Sequence, residues 1–391
     1  MVRVFVEFSR KRLVFRQYIS IEKLKIQFKF KTSKCPVKSP NGSAEFKRET
    51  QRGGVMEGER GAAPFQVPLC DSCEHPAVLE QAYSGRVLCS KHLAKSVRKK
   101  ISKELRQQLP LEKGRHTTIL VAVSGGKDSA VLLDVLVDLL GKRQDVTIVA
   151  GTVDEGIEGY RPPSIVCAAE LCERLGVEHH VVTYPELSFI EMDEVVRRLP
   201  LATAKDNDAP RMACSYCGVF RRQGINHLAQ RVHADVIALG HNLDDMAQTV
   251  LMNMANADIE RTLRLAPHTA TPVDGLSPRI VPLRWVPEQE VHLYALHRDL
   301  PLHHEECPNA RGALRWRHRE MVAQMEADVP GTRHGLVRMA DQVKALRDQV
   351  VALGGGDSRP APPAPCPRCG SPSSGAQCKA CDMRDLLDVQ I

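Results

Sequence analysis

Residues 124–129 read Ser124, Gly125, Gly126, Lys127, Asp128, Ser129, directly behind the apolar run ILVAV and ahead of AVLLDVLVDLL. Backbone N–H groups freed by the glycines, two small hydroxyls and one cation at a helix start make a nest for phosphate. The glycines are adjacent, so this is not a Walker A loop, and a plain β–α turn is the alternative reading. The cysteines form three further groups. Cys70-x2-Cys73 is followed after fifteen residues by Cys89-x2-His92, and Cys366-x2-Cys369 after eight by Cys378-x2-Cys381. Each set offers four soft donors in two knuckles, which suits a tetrahedral structural zinc with no position left for chemistry. The third group is Cys214-x2-Cys217 with the distant Cys307, three thiols and no fourth. Zinc wants four ligands, and a Cys214–Cys217 disulfide is strained. Three thiolates suit a 4Fe-4S cluster with one open iron; persulfide chemistry on Cys217 or Cys307 is the competing reading.

Alternating strands and helices must position these residues. TTILVAV, VTIVAGTV, VEHHVVTY and DVIALG read as strands. Between and after them, DSAVLLDVLVDLLG, PPSIVCAAELCERLG, GVFRRQGINHLAQRVHA and DDMAQTVLMNMANAD read as helices, with Gly141 and Gly176 as stops. This spacing predicts an α/β fold, a Rossmann-like doubly wound parallel sheet, with ligands at the carboxyl ends of its strands. Every motif lies at such an end. Val153, in TVDEGI, offers backbone groups to an adenine edge, and Gly240 with Asp244 and Asp245 opens the stretch GHNLDD. Helix capping is the plain reading of that Asp pair. His241 is read as a packing residue or a support behind the site's ligands, His303 and His304 as bystanders, and Cys167 and Cys172 as core-facing or incidental.

Composition limits the rest. The 391 residues carry a net charge of +7, but residues 1–55 alone hold +10 and the remainder −3. Whole-chain basicity is therefore no argument for nucleic-acid binding; local patches are. Two stand out, SVRKKISKELR (96–106) and ARGALRWRHRE (310–320), the second with Trp316 interleaved to stack a base. An ordinary solvated helix face is the alternative for each. No run approaches the ~18 apolar residues of a membrane span, and the chain reads as soluble, cytoplasmic and free of membrane. The leader holds six of the nine Phe without any sustained period. It is read as sequence lying upstream of a native start at Met56, with a disordered basic arm as the alternative.

The phosphate nest, TVDEGI, GHNLDD, the three-cysteine set and the flanking knuckles together resemble the TtuA-like tRNA 2-thiolation enzymes of the PP-loop ATP pyrophosphatase superfamily, over about residues 68–384. The resemblance implies cleavage of ATP between its α- and β-phosphates, adenylation of a uridine C2 oxygen in tRNA, and sulfur transfer. It implies ATP contacts from Ala122, Val123, Ser124–Ser129, Val153, Arg221 and Gly240, with Lys127, Asp128, Asp245, Cys217 and Cys307 in catalysis. Asp128 and Asp245 are candidates for Mg2+, and Cys214, Cys217 and Cys307 for the cluster. tRNA and a ubiquitin-like thiocarboxylate sulfur carrier are the implied partners, and a second copy of the chain is a further candidate.

The corresponding division is a leader (1–55), a zinc finger (66–95), a catalytic domain (96–350) with a helical tRNA-binding part from about 255, a flexible linker (351–365) and a mobile zinc knuckle (366–385). Two other classes compete. Another PP-loop enzyme, thiolating cytidine or forming lysidine, shares SGGKDS without the three cysteines. A zinc-bearing RNA-binding protein without catalysis needs neither.

Overall fold

The computed structural model describes residues 67–112, 114–268, 276–310, 314–354 and 363–388. The expectations for the leader, including Met56, fall outside them, as does most of the linker. The chain first makes a small hairpin, β1 (Leu79–Gln81) and β2 (Arg86–Leu88), beside the first cysteine pair, then enters α1 (Ser90–Gln108). The expected boundary at 95 is therefore no break, because α1 runs through it with Leu93, Val97, Ile101 and Leu105 buried on one side.

The α/β body follows as β3 (Thr117–Ala122), α2 (Lys127–Leu140), β4 (Val146–Asp154), α3 (Arg161–Leu175), β5 (Glu178–Thr183), α4 (Met192–Lys205), α5 (Ala213–Arg231), β6 (Val236–Ala238) and α6 (Leu243–Ala255). α7 (Ile259–Leu263), β7 (Arg279–Ile280) and α8 (Glu288–His297) complete it. All five strands β3–β7 are parallel, in the order β5-β4-β3-β6-β7. This is the expected doubly wound sheet. Ile119 and Val121 point into one core layer with α1, α2, α3 and α8; Leu120 points into the other with α4 and α5, the period of two that a strand imposes.

Four differences from the sequence reading matter for the site. α5 begins at Ala213, so Cys214 and Cys217 lie on its first turns rather than ahead of it. α4 was not expected, because Pro200 in its interior argues against a helix. β7 has two residues, too few for any period to show. It joins the sheet, and α8 packs on α1 and α2, so the helical part expected from about 255 does not begin there.

The separate helical unit is the pair α9 (Leu314–Asp328) and α10 (Thr332–Ala352), which shares a small core with α6 through Val322, Val337 and Leu243. Last come β8 (Ala364–Pro365), β9 (Pro372–Ser373) and α11 (Lys379–Leu386). The expected mobility of this knuckle is not what is seen. Cys366, Cys378, Ala380, Cys381, Met383 and Leu387 are buried in the same layer as Tyr216 and Phe220 of α5. Gln223 of α5 bonds both Cys378 Sγ (3.7 Å) and Ser371 Oγ (2.9 Å). Buried apolar area outweighs the freedom of a glycine/proline linker.

Candidate active site

In this sheet the chain turns back between β3 and β6, and ligands collect at the carboxyl end of that switch point. The SGGKDS turn closes β3 there and passes into α2. Gly125 has φ +80° and Gly126 caps the helix. Ser129 Oγ accepts the Ser124 N–H (3.1 Å) and donates to Gly126 O (3.0 Å), which curls the turn. Among the described residues, the amides of Gly125, Gly126, Lys127 and Asp128 meet no protein acceptor. They form the anion nest. Ala122 ends the strand, and Val123, just after it, is tied to Gly151 and Thr152. Gly240, after β6, lies against the Asp128 backbone so closely that a Cβ would sit 3.1 Å from it.

Carboxylates and cations interlock around the nest. Lys127 Nζ pairs with Asp128 (3.1 Å) and Glu288 (2.9 Å), and Glu288 also pairs with Arg319 (3.1 Å). Burial pulls Lys127 down, but Asp128 and Glu288 together hold it above its ordinary value. Burial pushes Asp128 up to about 6, against the opposing pull of Lys127 and with Asp245 and Glu288 adding to the rise. Asn242 Nδ2 donates to Asp128 (2.8 Å).

The neighbouring Asp pair does cap helices. Asp245 and Asn242 form a capping box on α6, while Asp244 accepts the Glu288 N–H (2.7 Å) at the start of α8 and pairs with Arg333 (2.5 Å). Asp245 also pairs with Arg315 (3.3 Å). The basic patch 310–320 thus sends Arg315 and Arg319 into the site instead of outward. His241 is exposed rather than packed, although desolvation by the protein around it depresses its pKa.

One buried ion pair was missed by the sequence reading. Arg161 and Glu155 lie 2.7 Å apart, each 4% exposed. Arg161 donates to Ser124 O (3.2 Å) and to Val153 O, so it braces the turns after β3 and β4 together. The Val153 carbonyl is therefore already engaged. Glu155 also faces Arg221 (3.8 Å), which is half-exposed one turn beyond Cys217. TVDEGI contained Glu155, but no local signal marks Arg161 as its partner.

The three thiols meet around the first turns of α5. Cys214 Sγ contacts Asn309 O (3.3 Å), and Tyr184 donates to Cys217 O (3.1 Å). Cys307 acts electrostatically on Cys217, and Cys214 on Cys307. Burial lifts all three thiols, with Arg221 opposing at each. None is in a disulfide. His303 is no bystander: its N–H donates to Gly125 O (2.9 Å) and its ring packs edge-on to Tyr160, at 5.3 Å between centroids. That bond ties the Cys307 segment to the phosphate nest. Beside Cys307 lies a cavity of about 330 Å³ lined by Glu306, Pro308, Ala310 and Trp316.

At the two ends the donor sets close as expected. In Cys70, Cys73, Cys89 and His92 the ligand atoms all lie within 4.8 Å of one another, as do those of Cys366, Cys369, Cys378 and Cys381. Contacts such as Cys73–Cys89 (3.7 Å) and Cys369–Cys378 (3.5 Å) match the ~3.8 Å edge of a tetrahedron with zinc–sulfur bonds near 2.3 Å. Cys214, Cys217 and Cys307 do not fall within that distance of one another.

A family profile described as the PP-loop domain matches residues 94–319. The tRNA 2-thiolation protein NcsA of Haloferax volcanii is 37% identical over 333 residues, covering 82% of this chain and 99% of the relative. The chain belongs to the PP-loop family of tRNA 2-thiolation proteins. The cytoplasmic tRNA 2-thiolation protein 1 of Danio rerio is 32% identical, covering 82% of this chain and 88% of its own. Among solved structures, the U34-tRNA thiolase NcsA from Methanococcus maripaludis, with its 4Fe-4S cluster, aligns at a TM-score of 0.62 and 29% identity. That alignment covers 72% of this chain and 89% of the thiolase. The nest lies within the part of the chain that matches this PP-loop domain. No helix among the described residues is long and apolar enough to cross a membrane.

Proposed function

We propose that this chain is a cytoplasmic tRNA 2-thiouridine synthase, a sulfurtransferase that cleaves ATP to AMP and pyrophosphate and acts on the wobble uridine. The uracil C2 carbonyl is a poor electrophile without a leaving group. Its oxygen attacks the α-phosphorus of ATP and pyrophosphate leaves. Sulfide then adds at C2, the bond to AMP breaks, and C2=S remains. The nest amides, Lys127 and Arg221 balance the charge that builds on the phosphates. Asp128 and Asp245 hold Mg2+, an ion that takes one or two carboxylates plus phosphate oxygens.

Cys214, Cys217 and Cys307 would hold a 4Fe-4S cluster, which would supply an iron left free of protein thiolate for binding sulfide. Zinc in the two knuckles is structural. A ubiquitin-like thiocarboxylate carrier delivers the sulfur, and Trp316 stacks the extruded uracil in the cavity beside Cys307.

The bond from the His303 N–H to Gly125 O supports this reading best, because it sets the sulfur-handling segment against the ATP loop. A lysidine-type ligase has no use for that juxtaposition. Anaerobically purified protein incubated with ATP, sulfide and unmodified tRNA should yield AMP and 2-thiouridine in equal amounts. Lys127→Ala should lower both by about 100-fold or more. Thiouridine formed without ATP, or AMP formed without thiouridine in the wild type, would sink the proposal.

A further inference from the structure

The outer face of α1 carries Lys91, Lys95, Lys99 and Lys103, one every four residues, all exposed and without a bonded partner among the described residues. At 1.5 Å per residue they form a ridge about 18 Å long. Arg106 extends it, whereas the neighbouring Arg98 is neutralised by Asp138 at 2.6 Å. The only acid of the helix, Glu104, is 5% exposed and bonded to Gln108.

Helix physics opposes this arrangement. Lysines four apart repel one another along the helix. Lys91 and Lys95 crowd the positive end of the macrodipole, and the first turn has no acid. A merely solvated face would intersperse acids, so a stripe that works against its own helix points to an external polyanion.

Two features hold the stripe in place. Leu93, Val97, Ile101 and Leu105 bury the opposite face, and Gln108 accepts the Val281 N–H (2.7 Å) just after β7. At the other end, Cys89 caps the helix and His92 lies in its first turn, so the N-terminal metal site is the fixed end of the lysine ridge.

We infer that this face of α1 tracks the sugar–phosphate backbone of RNA, and that the N-terminal zinc module serves to aim it. The inference rests on the proposed tRNA substrate. Phosphate contacts of this kind give affinity and register without reading bases.

The test is binding of an unmodified tRNA transcript to the metal-loaded full chain across a KCl series. Replacing all four lysines by Gln should weaken binding at least tenfold at low salt. It should also flatten the log–log salt dependence by roughly 2–4, near 0.9 per lost phosphate contact. KM for tRNA should rise while kcat at saturating tRNA stays within about twofold, because the ridge touches neither nest nor thiols. The Lys→Arg quadruple should keep the slope, and Lys95→Gln or Lys99→Gln alone should each remove about one contact, which covers any folding defect of the quadruple.

An unchanged slope in variants of an enzyme that thiolates tRNA would overturn the inference and leave the function standing. A wild type that thiolates nothing would instead remove the function. Stripe-dependent capture by phosphatidylserine vesicles, with tRNA binding unaltered, would overturn it in favour of a membrane surface.

Discussion

At the scale of single residues, the nest is built by exclusion as much as by contact. A Cβ on Gly125 would lie 2.1 Å from Ser164 O, in a backbone region (φ +80°) that side chains avoid, whereas one on Gly126 would meet only Ser124 Oγ at 3.6 Å. Gly125→Ala should therefore weaken ATP binding by tenfold or more, about 1.4 kcal/mol, and Gly126→Ala far less. Calorimetric titration with ATP checks the contrast, and equal losses would contradict it. Arg161 stands behind the same turn. Arg161→Met leaves Glu155 charged and buried and frees two carbonyls. Such losses cost about 3–5 kcal/mol, which denaturant unfolding would register.

At the scale of elements, α10 is docked on the β1–β2 hairpin through His334. Its ring stacks on Trp285 (6.1 Å, 9° between planes) and packs against Tyr83 (4.6 Å). Burial, then the nearby Lys100, pushes its pKa down from 6.5 to about 4. The folded state resists this proton and the unfolded chain takes it, so stability is lost as pH falls from 6.5 toward 4. His334→Phe keeps a stacking ring and removes the titration. Relative to wild type it should gain on the order of 2 kcal/mol between pH 7.5 and pH 5. A difference that does not change with pH would mean that His334 is not the group responsible. Docking also explains the C-terminal knuckle, which buries Cys366, Cys378 and Cys381 against α5, the helix that carries two of the three thiols.

For the whole molecule, the decisive feature is that 89 residues separate Cys217 from Cys307, and only the fold joins them. Anaerobically purified protein should contain about two zinc and four iron per chain. Cys307→Ala should lose the iron and keep the zinc. ATP binding should survive, since the nest, Arg221 and Gly240 are untouched, and slow tRNA-dependent AMP formation without thiouridine is the expected signature. A variant that retains full iron and thiolates normally would make Cys307 structural. Full activity in iron-free wild type would move the chemistry to a persulfide.

What the sequence determined by itself is what fits within one element or one turn. The strand, glycine turn and helix around Lys127 were legible because their signals are contiguous, and so were both four-donor sets, because each is made of two short knuckles. The αL stop at Gly176 was legible for the same reason. The doubly wound sheet followed from the alternation of such units. Tertiary structure decided the rest. Arg161 with Ser124, Lys127 with Glu288, and His303 with Gly125 join segments far apart in the chain, and no spacing along the chain encodes that distance. Arg315 and Arg319 looked like a surface patch until α9 was folded over the acids of α6 and α8. β7 is too short to show a period, and Pro200 hides α4, because local propensity yields where buried apolar contacts outweigh it. The lysines of α1 were in plain view, but only packing shows which of its faces is buried and therefore that they share the one left open.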